Sequence, residues 1–317
     1  MMNLEYDVSI IIPAYNSKDT IDITLKSIKN QNFRSLFEVI IVNDCSDYTY
    51  KEFIDKYKKY FIIREIKTKV NSGPGVARQL GIDRSNSKYI IFIDDDDYLY
   101  DEESLSKMYE KIENEKLDLL ICDFICEKDN NYRIITEDSN WLHGKIYKRN
   151  FLNKYNIRFN NTRANEDNGF NKLILLLHPK YSILKELVYV YKENLNSITL
   201  KNNEIYKFNG LEGFCYNMNW AMEEALNRKQ NIEEISFLSL DVLCAIYIYY
   251  VNFYYQFDVK KILIWGKPIF NIYKRYHKAQ FSLVSKILEN KKKQLKNICS
   301  KRIYNISFEA FLSKFEN

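Results

Sequence analysis

"YIIFIDDDDYLY", residues Tyr89–Tyr100, decides how this chain is read. Strand-forming apolar residues run straight into four consecutive aspartates, Asp94–Asp97, with Tyr98 directly after. Four adjacent like charges repel one another, and aspartate is disfavoured in strands. Two earlier stretches share the design: "VSIIIPAY" (Val8–Tyr15) and "FEVIIVND" (Phe37–Asp44) are continuously apolar and end in polar residues. "FIIREI" (Phe61–Ile66) reads as another strand. Helical patterns separate them. One follows Ser17, read as its N-cap, to about Asn30; one carries Tyr50, Phe53, Ile54, Tyr57 and Tyr60 at helical spacing; one runs from Gly75 to Arg84. Continuous apolar strands alternating with helices predict a parallel sheet covered on both faces. Such sheets bind ligands beyond the carboxyl ends of their strands, which is where the aspartates fall.

Further along, a helix is expected over about Glu102–Lys116, then a strand pair in "LDLLICDFI" and "YRIIT". Trp141–Asn156 reads as a loop and short helix, Asn165–Leu177 as a helix opened by acidic residues, and Leu187–Thr199 as a closing strand and turn. From about Lys201 the pattern turns helical and aromatic-rich. The charge changes there too: residues 201–317 hold 18 Lys and Arg against 11 Asp and Glu, whereas the rest holds 29 against 31. We therefore expect two domains, 1–200 and 201–317, with separate jobs.

Composition narrows the classes. The chain is 46% apolar and 28% charged, an ordinary globular mixture that excludes disorder as a class. Its six cysteines form no CxxC pair, and with three histidines a nitrogen-and-sulfur metal site is not expected. Scattered cysteines without a signal-like N-terminus point to a reducing, cytoplasmic location. The longest apolar run, Ile235–Phe257, is broken by Asp241, Asn252 and Gln256 and reads as a buried helix rather than a membrane span.

Four constellations carry chemistry. Carboxylates bunched at Asp94–Asp97 are tolerable beside a divalent cation, and all-oxygen ligation selects Mg or Mn over zinc; a solvated acidic turn is the alternative. Asp44, ending its strand in "NDCSD", is placed to accept a ligand's N–H or merely to close a turn. "NSGPGVARQLGI" (Asn71–Ile82) matches neither the P-loop nor the dinucleotide fingerprint, but offers Arg78 to phosphates or to the aspartates. In "RANEDNGF", Glu166 or Asp167 could be a general base or a helix cap. Upstream, "WLHGKIYKR" (Trp141–Arg149) adds His143 and Lys145 as acceptor or metal contacts.

In this order, "VSIIIPAYN", "EVIIVNDCSD", "NSGPGVARQLGI…YIIFIDDDDYL" and "GKIYKRNFL…IRFN…NEDNGF" resemble the family 2 glycosyltransferases over roughly residues 6–200. The resemblance implies a GT-A type, Rossmann-like, mostly parallel α/β sheet flanked by helices. It implies an inverting transfer from a nucleotide sugar, with a UDP-sugar as the expected donor and Mn2+ or Mg2+ as cofactor. On these motifs Pro13, Tyr15 and Asp44 would line the nucleoside pocket, joined by Arg78 and Asp95. Asp94 and Asp96 would hold the metal, and Asp167 would be the base with Glu166 beside it. The family's usual Asp-x-Asp-Asp has a small residue at x, whereas this chain has Asp95 there.

The residue types suit this chemistry. A cation stabilises charge on a departing diphosphate, and a carboxylate takes the acceptor hydroxyl's proton. The acceptor class (a glycan, a lipid-linked sugar or a protein) stays open, and no nucleic-acid partner is expected. The basic run at Lys291–Lys293, Lys296, Lys301 and Arg302 fits a solvated bundle face, a homo-oligomer contact, or an anionic acceptor or membrane surface met peripherally. A nucleotidyltransferase of related fold is the competing enzyme class, but "PAYNSKDT" lacks the glycine- and lysine- or arginine-rich loop that class carries after its first strand. A catalytically silent binding relative is the other alternative.

Overall fold

Period-free apolar strands need cover on both faces, and the chain supplies it in alternation. A computed structural model describes residues 5–128, 131–162, 164–194, 203–276, 281–295 and 305–316. It divides into two compact units, Met1–Leu195 and Asn196–Asn317.

The first unit opens with β1 (Tyr6–Ala14), α1 (Ile21–Lys29), β2 (Phe37–Asn43), α2 (Lys51–Tyr57), β3 (Ile62–Lys67), α3 (Pro74–Arg84) and β4 (Ser87–Phe92). It continues with β5 (Tyr98–Leu99), α4 (Ser104–Asn114), β6 (Leu119–Lys128), β7 (Asn131–Ile135), β8 (Lys145–Lys148), α5 (Arg149–Lys154), α6 (Glu166–Leu176) and β9 (Tyr181–Tyr191). The strands hydrogen-bond in the order β3-β2-β1-β4-β8-β6-β9-β5, with β7 paired to β6.

The four N-terminal strands are parallel, and β6 and β9 are parallel to each other. The sheet is nevertheless mixed, because β8 pairs antiparallel with both β4 and β6. Sequence reading assigned Trp141–Asn156 to loop and helix and missed this strand, whose four residues are too few to show a period. Helix α1 begins at Ile21 rather than at Ser17, whose carbonyl accepts from Thr20 and Ile21 N–H while its hydroxyl meets Tyr50.

The antiparallel insertion shapes the site. It turns the amino end of β8 toward the same edge as the carboxyl ends of β1, β2, β4, β6 and β9. The chain also reverses its winding at β1, running out to β3 and returning to β4 on the other side. Such a switch point opens a crevice between neighbouring strands. Register pairing of β1 with β4 stops at Ile11 and Phe92, and the Ile93 N–H reaches the Ile11 carbonyl at 3.1 Å. Peptide groups alternate in direction along a strand, so Pro13 faces the same side just beyond this split. Its missing N–H therefore costs the sheet nothing.

Core side chains fill both layers: Ile10, Ile12, Val39 and Ile41 meet Leu25 and Phe53 on one face, and α3 lies on the other against β1 and β2.

In the second unit α7 (Asn203–Asn227), α8 (Ile232–Phe253), α9 (Val259–Tyr276), α10 (Phe281–Gln294) and α11 (Phe308–Leu312) form a helical bundle. Asn231 caps α8 through the N–H groups of Glu233 and Glu234. Among the described residues α8 is the helix long and apolar enough to cross a membrane. Here it is the bundle's centre, with Ile235, Leu243, Cys244 and Ile246 fully buried against its neighbours. Lys296, Lys301 and Arg302 lie outside the described residues.

Gly81 fixes how closely α3 approaches the sheet, since a Cβ there would sit 2.4 Å from Ile11 Cγ2. Gly81→Ala is expected to destabilise the protein by about 1–3 kcal/mol in urea unfolding, the usual range for overpacking. In an Ile11→Ala background, which removes that Cγ2, Gly81→Ala should cost less, and an unchanged midpoint for Gly81→Ala alone would show that the helix can move away.

Candidate active site

The four aspartates avoid one another by folding into a turn. The Asp97 N–H returns to the Asp94 carbonyl at 3.1 Å, an i to i+3 bond that puts the first and last residues on one side and the middle two outward. Each carboxylate then finds its own partner. Asp94 Oδ1 accepts from Arg78 Nη2 at 2.6 Å. Asp95 accepts from the Tyr15 N–H at 3.2 Å. Asp96 accepts from Asn194 Nδ2 at 2.8 Å. Asp97, fully buried, accepts from the Tyr189 hydroxyl at 2.5 Å and the Lys192 N–H at 2.8 Å. The Tyr189 oxygen in turn accepts from the Asp94 N–H at 3.3 Å, so one phenol ties both ends of the turn.

This geometry adds candidates to the expected pair of Asp94 and Asp96. Asp96 meets Asn194, and Asp94, Asp97 and His143 offer donor atoms that all lie within 4.8 Å of one another. His143 Nε2 is 3.5 Å from Asp94 Oδ2 and 3.7 Å from Asp97 Oδ2. The imidazole is stacked between Tyr189 and Tyr191, with ring centroids 4.9 and 5.1 Å away. Its buried Nδ1 has no hydrogen-bond partner. Two carboxylates and an imidazole, oriented by a phenol and a backbone N–H, suit a divalent cation of mixed oxygen and nitrogen preference. The sequence marks Asp94–Asp97 as the metal-binding run and His143 as a possible metal contact, with Asp94 and Asp96 the expected ligands, but does not single out Asp97. The signal that could have found it is the i, i+3 geometry of a four-residue turn.

Arg78 is the electrostatic centre. Its side chain, projecting from α3, is buried and bridges Asp94 to Glu166, whose Oε1 it meets at 2.7 Å. Gly75 makes room for this contact, since a Cβ there would lie 2.9 Å from Glu166 Cγ. Burial works against the charged forms, but Arg78 and then His143 hold the Asp94 carboxyl well below the usual range. The other carboxylates move the opposite way. Burial and then its aspartate neighbours push Asp95 up to about 7, although it stays partly open to the cleft. Burial, then Asp94 and Asp96, raises Asp97 far above its ordinary value, and burial also raises Asp96.

The Glu166–Asp167 pair divides at the start of α6. Glu166 is buried in its ion pair, whereas Asp167 stays half-open and its Oδ1 accepts from the Asn168 N–H at 2.8 Å and from Asn168 Nδ2 at 3.3 Å. Burial and then Glu166 push the Asp167 carboxyl up to about 7, opposed by Arg78.

The remaining residues sort by position. The Asp44 carboxylate accepts from Thr68 Oγ1 at 2.8 Å, from the Ser72 N–H at 3.0 Å and from the Gly73 N–H at 2.7 Å, so it pins the loop leading into α3. Pro13 is buried at the split between β1 and β4, and the Tyr15 ring stands half exposed at its mouth. Lys145 differs from the expected acceptor or metal contact. Its ammonium is buried, bonded to Asp138 Oδ2 at 2.9 Å and the Trp141 carbonyl at 2.5 Å, and so braces the loop that carries His143.

Residues 9–166 match the model of the Glycosyl transferase family 2 family. They form a family 2 glycosyltransferase domain. The chain is 27% identical over 217 residues to the uncharacterized glycosyltransferase EpsJ of Bacillus subtilis, covering 61% of this chain and 62% of EpsJ. It is 26% identical over 224 residues to the poly(ribitol-phosphate) beta-N-acetylglucosaminyltransferase TarS of Staphylococcus aureus, covering 63% of this chain and 38% of TarS. It thus spans under two thirds of each of these relatives. The crystal structure of TarS residues 1–349 with UDP superimposes with a TM-score of 0.69 at 19% identity, over 92% of this chain and 89% of that one. That likeness establishes the GT-A-like fold with its helical continuation.

The carboxylates imply a pH-dependent stability. Asp95, Asp96, Asp97 and Asp167 have folded-state pKa values raised above their unfolded ones, so the folded state binds more protons and loses stability as pH rises. The cation-free protein should therefore melt at progressively lower temperature from about pH 4 through about pH 7. Asp94 adds no slope in this window, because its lowered pKa acts only at more acid pH. Added Mn2+ should raise the melting temperature more above pH 7 than at pH 5, and less in Asp94→Asn. A melting temperature that climbs with pH across the window would contradict this assignment.

Proposed function

We propose that this protein is an inverting, metal-dependent glycosyltransferase that moves a sugar from a UDP-sugar to an acceptor hydroxyl. The observation that carries the reading is the pairing of two unlike carboxylate sites on either side of Arg78. One is the crowded turn at the carboxyl end of β4; the other is half-open Asp167 on α6. A donor with an anionic diphosphate and an acceptor with a removable proton need these two environments.

A divalent cation, Mn2+ or Mg2+, held by Asp94 with Asp97 and His143, would supply charge stabilisation for the diphosphate. In our reading Pro13 and the exposed Tyr15 ring flank the nucleoside, Asp95 beside Tyr15 faces its ribose, and Asp44 reads the base. Asp44 is suited to that task because Ser72 and Gly73 already fix its orientation. Arg78 keeps Asp94 ionised and holds Glu166 in place. Asp167, with its proton affinity raised to about 7, accepts the acceptor's proton as the acceptor oxygen bonds to the anomeric carbon and the bond to the diphosphate oxygen breaks. One displacement inverts the anomeric centre and requires no covalent intermediate.

The relatives' named activities support a place in surface-polymer synthesis. The proposal includes a cytoplasmic location, with the second unit meeting the acceptor, a membrane or another copy.

Two measurements test the reading. Asp167→Asn is expected to lower transfer by about 10²–10⁴-fold with UDP affinity unchanged, while Glu166→Gln perturbs the fold around Arg78 as well. The wild-type rate should rise with pH through about 7, and that limb should vanish in Asp167→Asn. Transfer at the wild-type rate by Asp167→Asn would move the base elsewhere. Separately, Asp44→Ala should weaken UDP binding by about 1.5–3 kcal/mol, the range for hydrogen bonds to a charged group. Calorimetry giving equal wild-type affinities for UDP and ADP would remove Asp44's role with the base.

A further inference from the structure

The positive charge of the second unit is concentrated in its later part. Residues 201–259 hold 4 Lys and Arg against 8 Asp and Glu, whereas residues 260–317 hold 14 against 3. Helix α9 contains five basic residues and no acidic one in its 18 residues. Its apolar positions are used inside the bundle: Ile262 and Ile269 are fully buried, and Phe270 and Tyr273 nearly so. The basic residues are all exposed. They recur at Lys260–Lys261, Lys267 and Lys274–Arg275, a seven-residue interval. At 3.6 residues per turn this keeps them on one face, as rungs about 10 Å apart along some ~20 Å of helix.

Neighbouring carboxylates do not neutralise the ladder. Glu316 pairs with Lys274, and Lys267 donates to the Phe315 carbonyl. Lys260, Lys261 and Arg275 have no carboxylate partner among the described residues. We infer that this face of α9 binds an extended anionic acceptor polymer carrying regularly spaced phosphate or carboxylate groups.

The face does not suit the other polyanionic surfaces as well. An interfacial helix must insert an apolar face into the bilayer, and that of α9 is committed to the bundle core. Ile264 is its one strongly exposed large hydrophobic. Single-stranded nucleic acid is gripped by stacking on aromatic side chains, and none stands fully exposed among the rungs.

The role assigned to the polymer rests on the transferase reading, but its binding can be measured without catalysis. The intact protein should bind long-chain inorganic polyphosphate and ignore neutral dextran at low salt. Lys260→Gln, Lys261→Gln and Arg275→Gln together should weaken polyphosphate binding at least about tenfold and reduce the slope of log K against log salt by about two. A Lys260→Arg, Lys261→Arg variant, keeping the charge, should bind as wild type. UDP-sugar hydrolysis by the triple Gln variant should be unchanged, so failure of the transferase reading would appear in that assay and not in polymer binding. Equal polyphosphate binding by the triple variant would overturn the inference. So would tighter binding, at matched charge, to phosphatidylglycerol vesicles or to single-stranded DNA.

Discussion

The buried guanidinium of Arg78 is what the site depends on. A cation withdrawn from water costs several kcal/mol unless it is paired, and here Asp94 and Glu166 answer its two Nη groups from two different elements. The dependence runs both ways. Without Arg78, Asp94 would be one more carboxylate in a crowded turn, and Glu166 would be a buried charge alone at the start of α6. Gly75, one turn before Arg78 on α3, is part of the same arrangement because it leaves room for the Glu166 side chain. One ion-pair bridge therefore joins helix α3, the end of β4 and the start of α6, the pieces on which donor and acceptor chemistry must meet.

Crowded charge also explains the turn itself. A run of four aspartates on an exposed loop would spread apart. Here the i to i+3 bond, the Tyr189 phenol and the backbone of Lys192 hold Asp94 and Asp97 toward His143, while Asp95 and Asp96 face outward. The cost of desolvation is carried as raised proton affinity, and a cation is the natural way to relieve it.

Much of this was legible in the sequence. Continuous apolar strands ending in Asp44 and Asp94 announced the sheet and its functional edge, because burial on both faces leaves no alternation to misread. The ordered motifs carried the family. Strand β8 was not legible, since a strand of four residues has no period, and its antiparallel direction is decided by its neighbours. The grouping of Asp97 with His143 was equally hidden. It depends on a turn closing within the aspartates and on Tyr189 and Tyr191 arriving from β9, nearly a hundred residues later. Lys145 looked like a free cation near the site, and only its burial beside Asp138 reveals a brace.

The path of the chain out of β9 matters for dissecting the protein. Lys192 and Asn194 are among the last residues before the boundary between units, and they donate to Asp97 and Asp96. The strand that completes the sheet therefore hands its final residues to the aspartate turn before the chain leaves. A truncation placed at the end of β9 would look conservative by topology, yet would strip donors from two of the four carboxylates. The functional limit of the first unit thus lies beyond its last strand, and an excised fragment must carry the exit segment to retain the turn.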